Sequence, residues 1–173
     1  DADALSHVSY FAELIDEWAP EADPSDRLFR LGVSVGAALA ASVSVDRVAR
    51  YFEYWLLRLQ GVYPSIVTCH RCGVEISGRG AVISSRQGML ICCNCGSSDR
   101  GADLSSEALT FLRAAATMPP ERLDETPLTR RAGRELATAH QLLITMHLEK
   151  ELKSARVVRE VNGTYQLSPV DDL

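Results

Sequence analysis

Four of the five cysteines in this 173-residue sequence form two CxxC pairs, each followed by a glycine, with nineteen residues between the pairs. Two thiolates three residues apart on a tight turn can both reach one metal ion at about 2.3 Å and at tetrahedral angles. A glycine after each pair lets the backbone adopt a positive φ and turn back toward the metal. The intervening segment is long enough for a hairpin that brings the second turn opposite the first. The pattern predicts a zinc ribbon with the following ligands: Cys69, Cys72, Cys92 and Cys95.

Other chemistry could use the same thiols. Disulfides are disfavoured in a cytoplasmic protein with paired CxxC turns, whereas a four-thiolate site also suits a single iron. Cys93 could replace Cys92, but the second pair would then be CxC, so we prefer Cys92. Four thiolates fill a tetrahedron and leave no position for water or substrate, so we expect a structural metal. The site's net charge of about −2 should attract nearby bases, for which the candidates are Arg71, Arg79 and Arg86.

Motifs of common enzyme classes are absent from the sequence. It contains neither a P-loop nor an HExxH metalloprotease motif. His140 and His147 are seven residues apart on a predicted helix and share a face, which suits a metal or acid–base pair but more often marks polar residues beside a core. His70 should face solvent or support a ligand, and Cys93 is interpreted as a packed thiol rather than a reactive one. We therefore predict that the chain is not an enzyme and has no catalytic residues.

Hydrophobic periodicity predicts three helices within the first sixty residues. The second begins with Asp23 as N-cap and Pro24 at the first helical position. The third runs from about Val45 to Gln60 and ends at Gly61. The first has an apolar face formed by Phe11, Leu14, Ile15 and Trp18.

The segment 62–104 differs from its surroundings because it is rich in Gly, Ser and Cys. Two short β-like runs, 81–84 and 89–92, predict a β-hairpin. Helical patterning then resumes, with Ser105 as N-cap of a helix to about Thr117, a break at Pro119-Pro120, and a longer helix from about Pro127 to Leu152. Residues 153–161 either extend that helix or form a short one.

The expected fold class is mainly α, a helical domain with an inserted small β-hairpin zinc ribbon. The predicted organisation is a first helical part at 1–61, the ribbon at 62–104, a second helical part at 105–162 that packs on the first, and a tail at 163–173.

Charge is unevenly distributed around a net value of −5. Residues 1–26 contain eight acids and no Lys or Arg, whereas residues 130–160 contain seven bases and four acids. The acidic balance argues against tight, autonomous binding to a phosphate backbone. The sequence has no secretory signal and no apolar stretch of about 20 residues, so we expect a cytoplasmic protein. Because it begins without Met, we expect a fragment or a processed form.

Three ordered segments carry a family resemblance. They are a helix with a Leu-Gly-Tyr-x-Pro-like end, YFEYWLLRLQGVYP at 51–64, then the CxxCG pairs with the approach GMLIC at 88–92, and finally HLEKELKSAR at 147–156. Together they resemble the C-terminal region of the RecO family of DNA-repair mediators, from about Tyr10 to Val161. A zinc ribbon alone occurs in many unrelated proteins, so the ordered combination carries the resemblance.

The resemblance implies an OB-fold followed by a helical domain with an embedded zinc ribbon. It implies a DNA-recombination mediator that acts on DNA damage with RecR, sometimes RecF, and single-strand-binding protein. Such a mediator loads recombinase onto single-stranded DNA, anneals complementary strands, and associates with the nucleoid when engaged. The given chain has no room before Tyr10 for the OB-fold, so we expect it to bind DNA weakly or not at all on its own.

Site residues follow from the same resemblance. The metal ligands are the four cysteines already named. A basic strip near the end of the last predicted helix is expected to touch DNA or a partner's acidic tail, although bases also suit any solvated helix end. Its members are Lys150, Lys153, Arg156 and Arg159. The alternative function is an unrelated zinc-ribbon domain for protein interaction or transcription.

Overall fold

The computed structural model describes residues 2–19, 25–76 and 78–164, with side chains described for 5–19, 25–76 and 78–148. The chain is mainly helical with one small antiparallel sheet, which confirms the expected fold class. The elements are, in order, α1 (Ala2–Trp18), α2 (Asp26–Ala40), α3 (Val45–Leu59), β1 (Ala81–Ser84), β2 (Leu90–Cys92), α4 (Cys93–Gly96), β3 (Gly101–Leu104), α5 (Ser106–Ala115), a 3₁₀ helix (Pro120–Glu125) and α6 (Arg130–Thr164).

Helix α3 lies at the centre of the core. Its buried residues face α1 and α2 on one side and α6 on the other. Phe52 is fully buried and stacks on Phe11 of α1 with ring centroids 4.3 Å apart. Because a helix buried on several sides has little polar surface, the position of Glu53 among these residues is unusual.

Helix α2 begins two residues later than the sequence analysis predicted. Ser25, in an extended backbone conformation, is the N-cap, and its hydroxyl accepts a hydrogen bond from the Leu28 amide at 3.4 Å. The prediction of Asp23 as N-cap is therefore wrong, since serine satisfies the free amide equally well. Asp23 and Pro24 themselves lie outside the described residues.

The sheet has a third strand that was not predicted. Its order is β2-β1-β3, and both pairings with β1 are antiparallel. In β3, Gly101 lies opposite Ser84. A Cβ at Gly101 would stand 2.1 Å from the Ile83 carbonyl oxygen, so only glycine fits. The Gly-Ala-Asp-Leu sequence has weak strand propensity, and pairing with β1 determines its conformation.

Helices α5 and α6 each supply a glutamate that accepts a hydrogen bond from the residue preceding the other helix. Ser105 is the N-cap of α5, as predicted, and its own amide donates to Glu135 of α6 at 2.9 Å. In return, Glu107 of α5 accepts a hydrogen bond from the hydroxyl of Thr129 at 3.0 Å. The Thr129 hydroxyl caps the Ala132 amide, so α6 begins at Arg130 rather than near Pro127, and it continues through the segment 153–161. The 3₁₀ helix before it was not predicted.

The ribbon and the helices share one hydrophobic core. The turn between β1 and β2 lies against α6, since a Cβ at Gly88 would be 3.3 Å from a methyl carbon of Leu143. The Arg113 guanidinium of α5 donates to the Ile76 carbonyl of the ribbon. Among the described residues, no helix has both the length and the apolar character needed to cross a membrane.

Candidate metal centre

Two different turns present the cysteine pairs. The first pair lies in the loop closed by the bridge between Thr68 and Glu75, and Gly73 after the pair has φ of +70°, as predicted. The second pair spans the end of β2 and the short helix α4, and Gly96 is helical there rather than at positive φ. The reason for glycine is packing, because a Cβ at Gly96 would lie 2.9 Å from a methyl carbon of Val82.

The four predicted ligands converge on one point. The sulfur atoms of Cys69, Cys72, Cys92 and Cys95 all lie within 4.8 Å of one another, and those of Cys72 and Cys92 are 3.8 Å apart. Thiolates bound to one tetrahedral zinc ion at about 2.3 Å would be about 3.8 Å apart. The donor set and its spacing therefore fit a tetrahedral metal ion, with Cys69 and Cys92 buried and Cys72 exposed.

The protein environment shifts the pKa values of Cys69 and Cys95 in opposite directions. Burial raises the pKa of Cys69, but hydrogen bonds from the backbone amides of Cys92, Cys72 and Arg71 outweigh burial and lower it to about 6. Hydrogen bonds with the Cys72 and Cys92 side chains raise the pKa of Cys95 to about 12. Without a cation, the Cys95 thiol therefore keeps its proton at neutral pH, and a divalent metal would displace that proton on binding.

Arg71 links the two turns that present the cysteine pairs. Arg71, in the first CxxC pair, donates to the Cys95 carbonyl oxygen at 2.8 Å and forms an ion pair with Asp99. The second carboxylate oxygen of Asp99 accepts from the hydroxyl of Ser84, a fully buried residue of β1, at 3.0 Å. This chain of contacts links the first CxxC turn to the second turn and to β1 through protein atoms alone. Sequence reasoning named Arg71 as a candidate near the site charge but missed Asp99 and Ser84.

The other residues considered near the metal take different positions. Cys93 is exposed, with its sulfur 4.0 Å from the Asn94 side-chain oxygen, so the prediction of a packed thiol is wrong. It lies with Asn94 on the exposed side of α4, whereas Cys92 before it is buried. His70, Arg79 and Arg86 are exposed.

His140 and His147 do not form a pair. His140 is fully buried between Glu53, whose Oε2 is 2.9 Å from Nδ1, and Tyr63, whose hydroxyl is 3.0 Å from Nε2. His147 instead packs edge-on against Trp18 with ring centroids 4.8 Å apart. Of the two interpretations offered for these histidines, the structure supports polar residues at the core. Within the described ranges, the cysteine cluster is the one group of residues arranged to hold a metal.

The His140 ring belongs to a buried polar network. Burial lowers the pKa of His140, outweighing the nearby Glu53 carboxylate, so the imidazole is neutral at pH 7. A carboxylate can only accept, so Nδ1 carries the proton and Nε2 accepts from the Tyr63 hydroxyl. Glu53 also accepts from the Tyr10 hydroxyl at 3.2 Å and pairs with Arg50 at 3.0 Å.

Sequence reasoning missed Glu53, although a signal was present. It lies four residues after Ala49 and three before Leu56, on the face of α3 that is otherwise apolar. An acid at such a position needs a buried partner.

For the predicted basic strip, the structure describes the backbone but not the side chains. The backbone of Lys150, Lys153, Arg156 and Arg159 belongs to α6, and their side chains lie outside the described residues.

Comparison with known proteins identifies the family. The family model described as "Recombination protein O C terminal" matches residues 1–156. Proteins named "DNA repair protein RecO" are similar over most of the chain. The one from Pelobacter propionicus is 28% identical over 166 residues, covering 96% of this chain and 65% of its own length. Those from Geobacter metallireducens and Geobacter sulfurreducens are 31% and 32% identical, each covering 93% of this chain.

The chain spans 64–65% of the length of these three curated relatives. Because the family model matches residues 1–156 of this chain, the chain belongs to the RecO family and corresponds to the C-terminal region of that family.

Proposed function

We propose that this chain is the C-terminal module of a non-enzymatic DNA-repair and recombination mediator. In this proposal it acts with RecR and single-strand-binding protein in recombinase loading and strand annealing. The match of residues 1–156 to the recombination protein O family carries the proposal. The names of its relatives support the repair role. Family membership also removes the reason to prefer an unrelated zinc-ribbon domain.

The proposed metal is zinc, and its role is structural. Bound zinc would supply electrostatic stabilisation that lets four thiolates coexist, and the four cysteines would complete its coordination. The contacts of Arg71 with Cys95 and Asp99 hold the second turn near the first. The ribbon has only three short strands, so cross-linking its turns stabilises a region with little core of its own.

The arrangement of polar groups supports a non-enzymatic role. Four thiolates leave a tetrahedral metal no open position. His140 has both ring nitrogens in internal hydrogen bonds and is 0% exposed, so it offers no proton donor or acceptor to a substrate.

The direct test is binding of the purified chain to RecR and to single-strand-binding protein, measured by calorimetry. We expect binding to at least one of them. A Cys72→Ser variant should lose the metal, and an Arg79→Gln variant, changed at an exposed position on the ribbon, serves as control. Metal content and circular dichroism are recorded for each protein. If neither partner binds a metal-loaded, folded chain, the proposed mediator role of this region is wrong.

A further inference from the structure

A cleft at the junction of α3 and α6 is lined by arginines. Its volume is about 320 Å³, and none of its lining residues comes from the ribbon. Asp46 is the one acid in the lining. The arginines of the lining are Arg47, Arg50, Arg130 and Arg134. We call this feature the arginine cleft.

The inner two arginines are held in place by acids. Arg47 lies 3.3 Å from Asp124, and Arg50 lies 3.0 Å from Glu53 of the buried network. Their side chains are 19% and 13% exposed, so both are oriented by the surrounding core. The Arg47 atom nearest Asp124 is its buried Nε, and this contact is an ion pair without hydrogen-bond geometry. The two inner arginines are therefore oriented by ion pairs, and their charge is largely offset.

The outer two arginines have no such partners. Arg130 and Arg134 stand one turn apart on α6, and both are exposed. Neither forms an ion pair with a described residue, whereas Arg131 between them pairs with Glu135 at 2.9 Å. They also lie in the first turns of a 35-residue helix, where the helix dipole adds positive potential. Two arginines against one exposed acid of the lining, Asp46, give the rim of the arginine cleft a net charge of about +1.

The chemistry of the lining indicates the class of ligand. Guanidinium groups bind phosphate through paired N–H donors. Side chains one helical turn apart have Cβ atoms about 6 Å apart, so Arg130 and Arg134 can contact one phosphate or two neighbouring ones. Leu128 is the one large apolar side chain in the lining. The surface therefore suits a ligand recognised by its charges rather than by apolar side chains.

We propose that the arginine cleft binds the phosphate backbone of single-stranded nucleic acid. This inference rests on the proposed function, in which the mediator handles DNA strands during recombinase loading and annealing, and it assigns a weak strand contact to the helical part of the fold. The acidic net charge of the chain opposes such binding elsewhere on its surface. The interaction is therefore weak, local and dependent on salt.

The test measures binding of a fluorescent oligothymidine to the whole chain by anisotropy across a range of salt. Three proteins are compared: the wild type, Arg130→Gln/Arg134→Gln, and the matched control Arg79→Gln/Arg86→Gln. Both variants lose two exposed positive charges, and the control loses them from the ribbon. Circular dichroism and thermal unfolding should be unchanged in both.

The expected difference follows from counterion release. Single-stranded nucleic acid gives a slope of about −0.7 per phosphate contact in log K against log salt, so losing two contacts should reduce the slope by about 1.4. Between about 50 mM and about 200 mM salt, the wild type should then lose about sevenfold more affinity than the cleft variant. The control should keep the wild-type slope.

Each other outcome overturns the inference. An unchanged slope in the cleft variant, an equal reduction in the control, or undetectable binding by the wild type at low salt refutes the arginine cleft as the site. An oligoaspartate peptide is tested in parallel. If it alone depends on Arg130 and Arg134, the cleft is a site for acidic peptides instead. RecR and single-strand-binding protein are titrated against the same variants, so failure of the cleft with intact partner binding leaves the proposed function standing.

Discussion

The buried His140 makes folding stability depend on pH with a definite sign. Its pKa in the folded chain lies below the usual value of 6.5 because burial outweighs the attraction of Glu53. At pH values between the folded-state and unfolded-state pKa of His140, the ring is protonated in the unfolded chain and neutral in the folded chain. The contribution of His140 to stability is therefore complete above about pH 6.5 and is lost as the pH falls below it.

The perturbation is His140→Asn, which removes the titrating ring and leaves the Tyr63 hydroxyl without its acceptor. At about pH 7.5 the substitution should cost about 1–3 kcal/mol, the usual result of stranding a buried polar group. At about pH 5.5 the wild type alone bears the penalty of keeping the ring neutral, at most about 1.4 kcal/mol for one proton one unit below an unfolded pKa of 6.5. The cost of the substitution should therefore shrink by up to that amount.

Urea unfolding followed by tryptophan fluorescence at several pH values measures this difference. Leu136→Ala, one turn earlier on α6 and fully buried, is the control because it destabilises without changing a titrating group. The loss of unfolding free energy caused by Leu136→Ala should be the same at each pH. Contributions of the cysteines and the other histidines to pH dependence are common to wild type and variant, so they cancel in each difference. If the cost of His140→Asn grows as the pH falls, the ring is a cation paired with Glu53, and the assignment of a neutral tautomer is refuted.

Three further perturbations test the packing and the metal centre. Gly96→Ala should destabilise by about 1–3 kcal/mol in chemical unfolding because its methyl group would overlap a methyl of Val82, and Val82→Ala should recover part of that loss. Asp99→Asn should weaken the link between Arg71 and β1 and speed zinc loss to a chromogenic chelator by about tenfold or more. Phe52→Ala, at a fully buried ring stacked on α1, should cost about 3–5 kcal/mol in urea unfolding.

Each of these has a contrary result. Additive costs for Gly96→Ala and Val82→Ala would mean that the two sites do not share one contact. Zinc release from Asp99→Asn at the wild-type rate would mean that the arginine link does not support the metal centre. A loss below about 1 kcal/mol for Phe52→Ala would place that ring outside the stable core.

The sequence predicted the features that rest on local chemistry. Helix α3 follows from the spacing of its apolar residues, and the convergence of the cysteines follows from their pairing and separation. The N-cap role of Ser105 follows from the hydroxyl that begins α5. In each case the residues that determine the feature are close together in the chain.

The features that were missed depend on distant residues. Strand β3 exists because Gly101 can approach the carbonyl of Ile83, and nothing in its own sequence favours a strand. Glu53 meets His140 across 87 residues of chain, and only the packing of α3 on α6 brings them together. Ser25 and Asp23 are both good caps, so local propensity could not choose between them.

Under the proposed structural role of zinc, the core shared by the ribbon and the helices would link the lifetime of the protein to metal supply. The β1–β2 turn at Gly88 packs against α6, and Arg113 of α5 donates to a ribbon carbonyl, so unfolding the ribbon also exposes apolar surface on both helices. Cellular proteases remove chains in proportion to the open population. We therefore expect zinc starvation to lower the abundance of this protein through degradation, with no change in its synthesis. A domain whose metal-binding module made no contact with the helical core would keep its helices folded during zinc starvation.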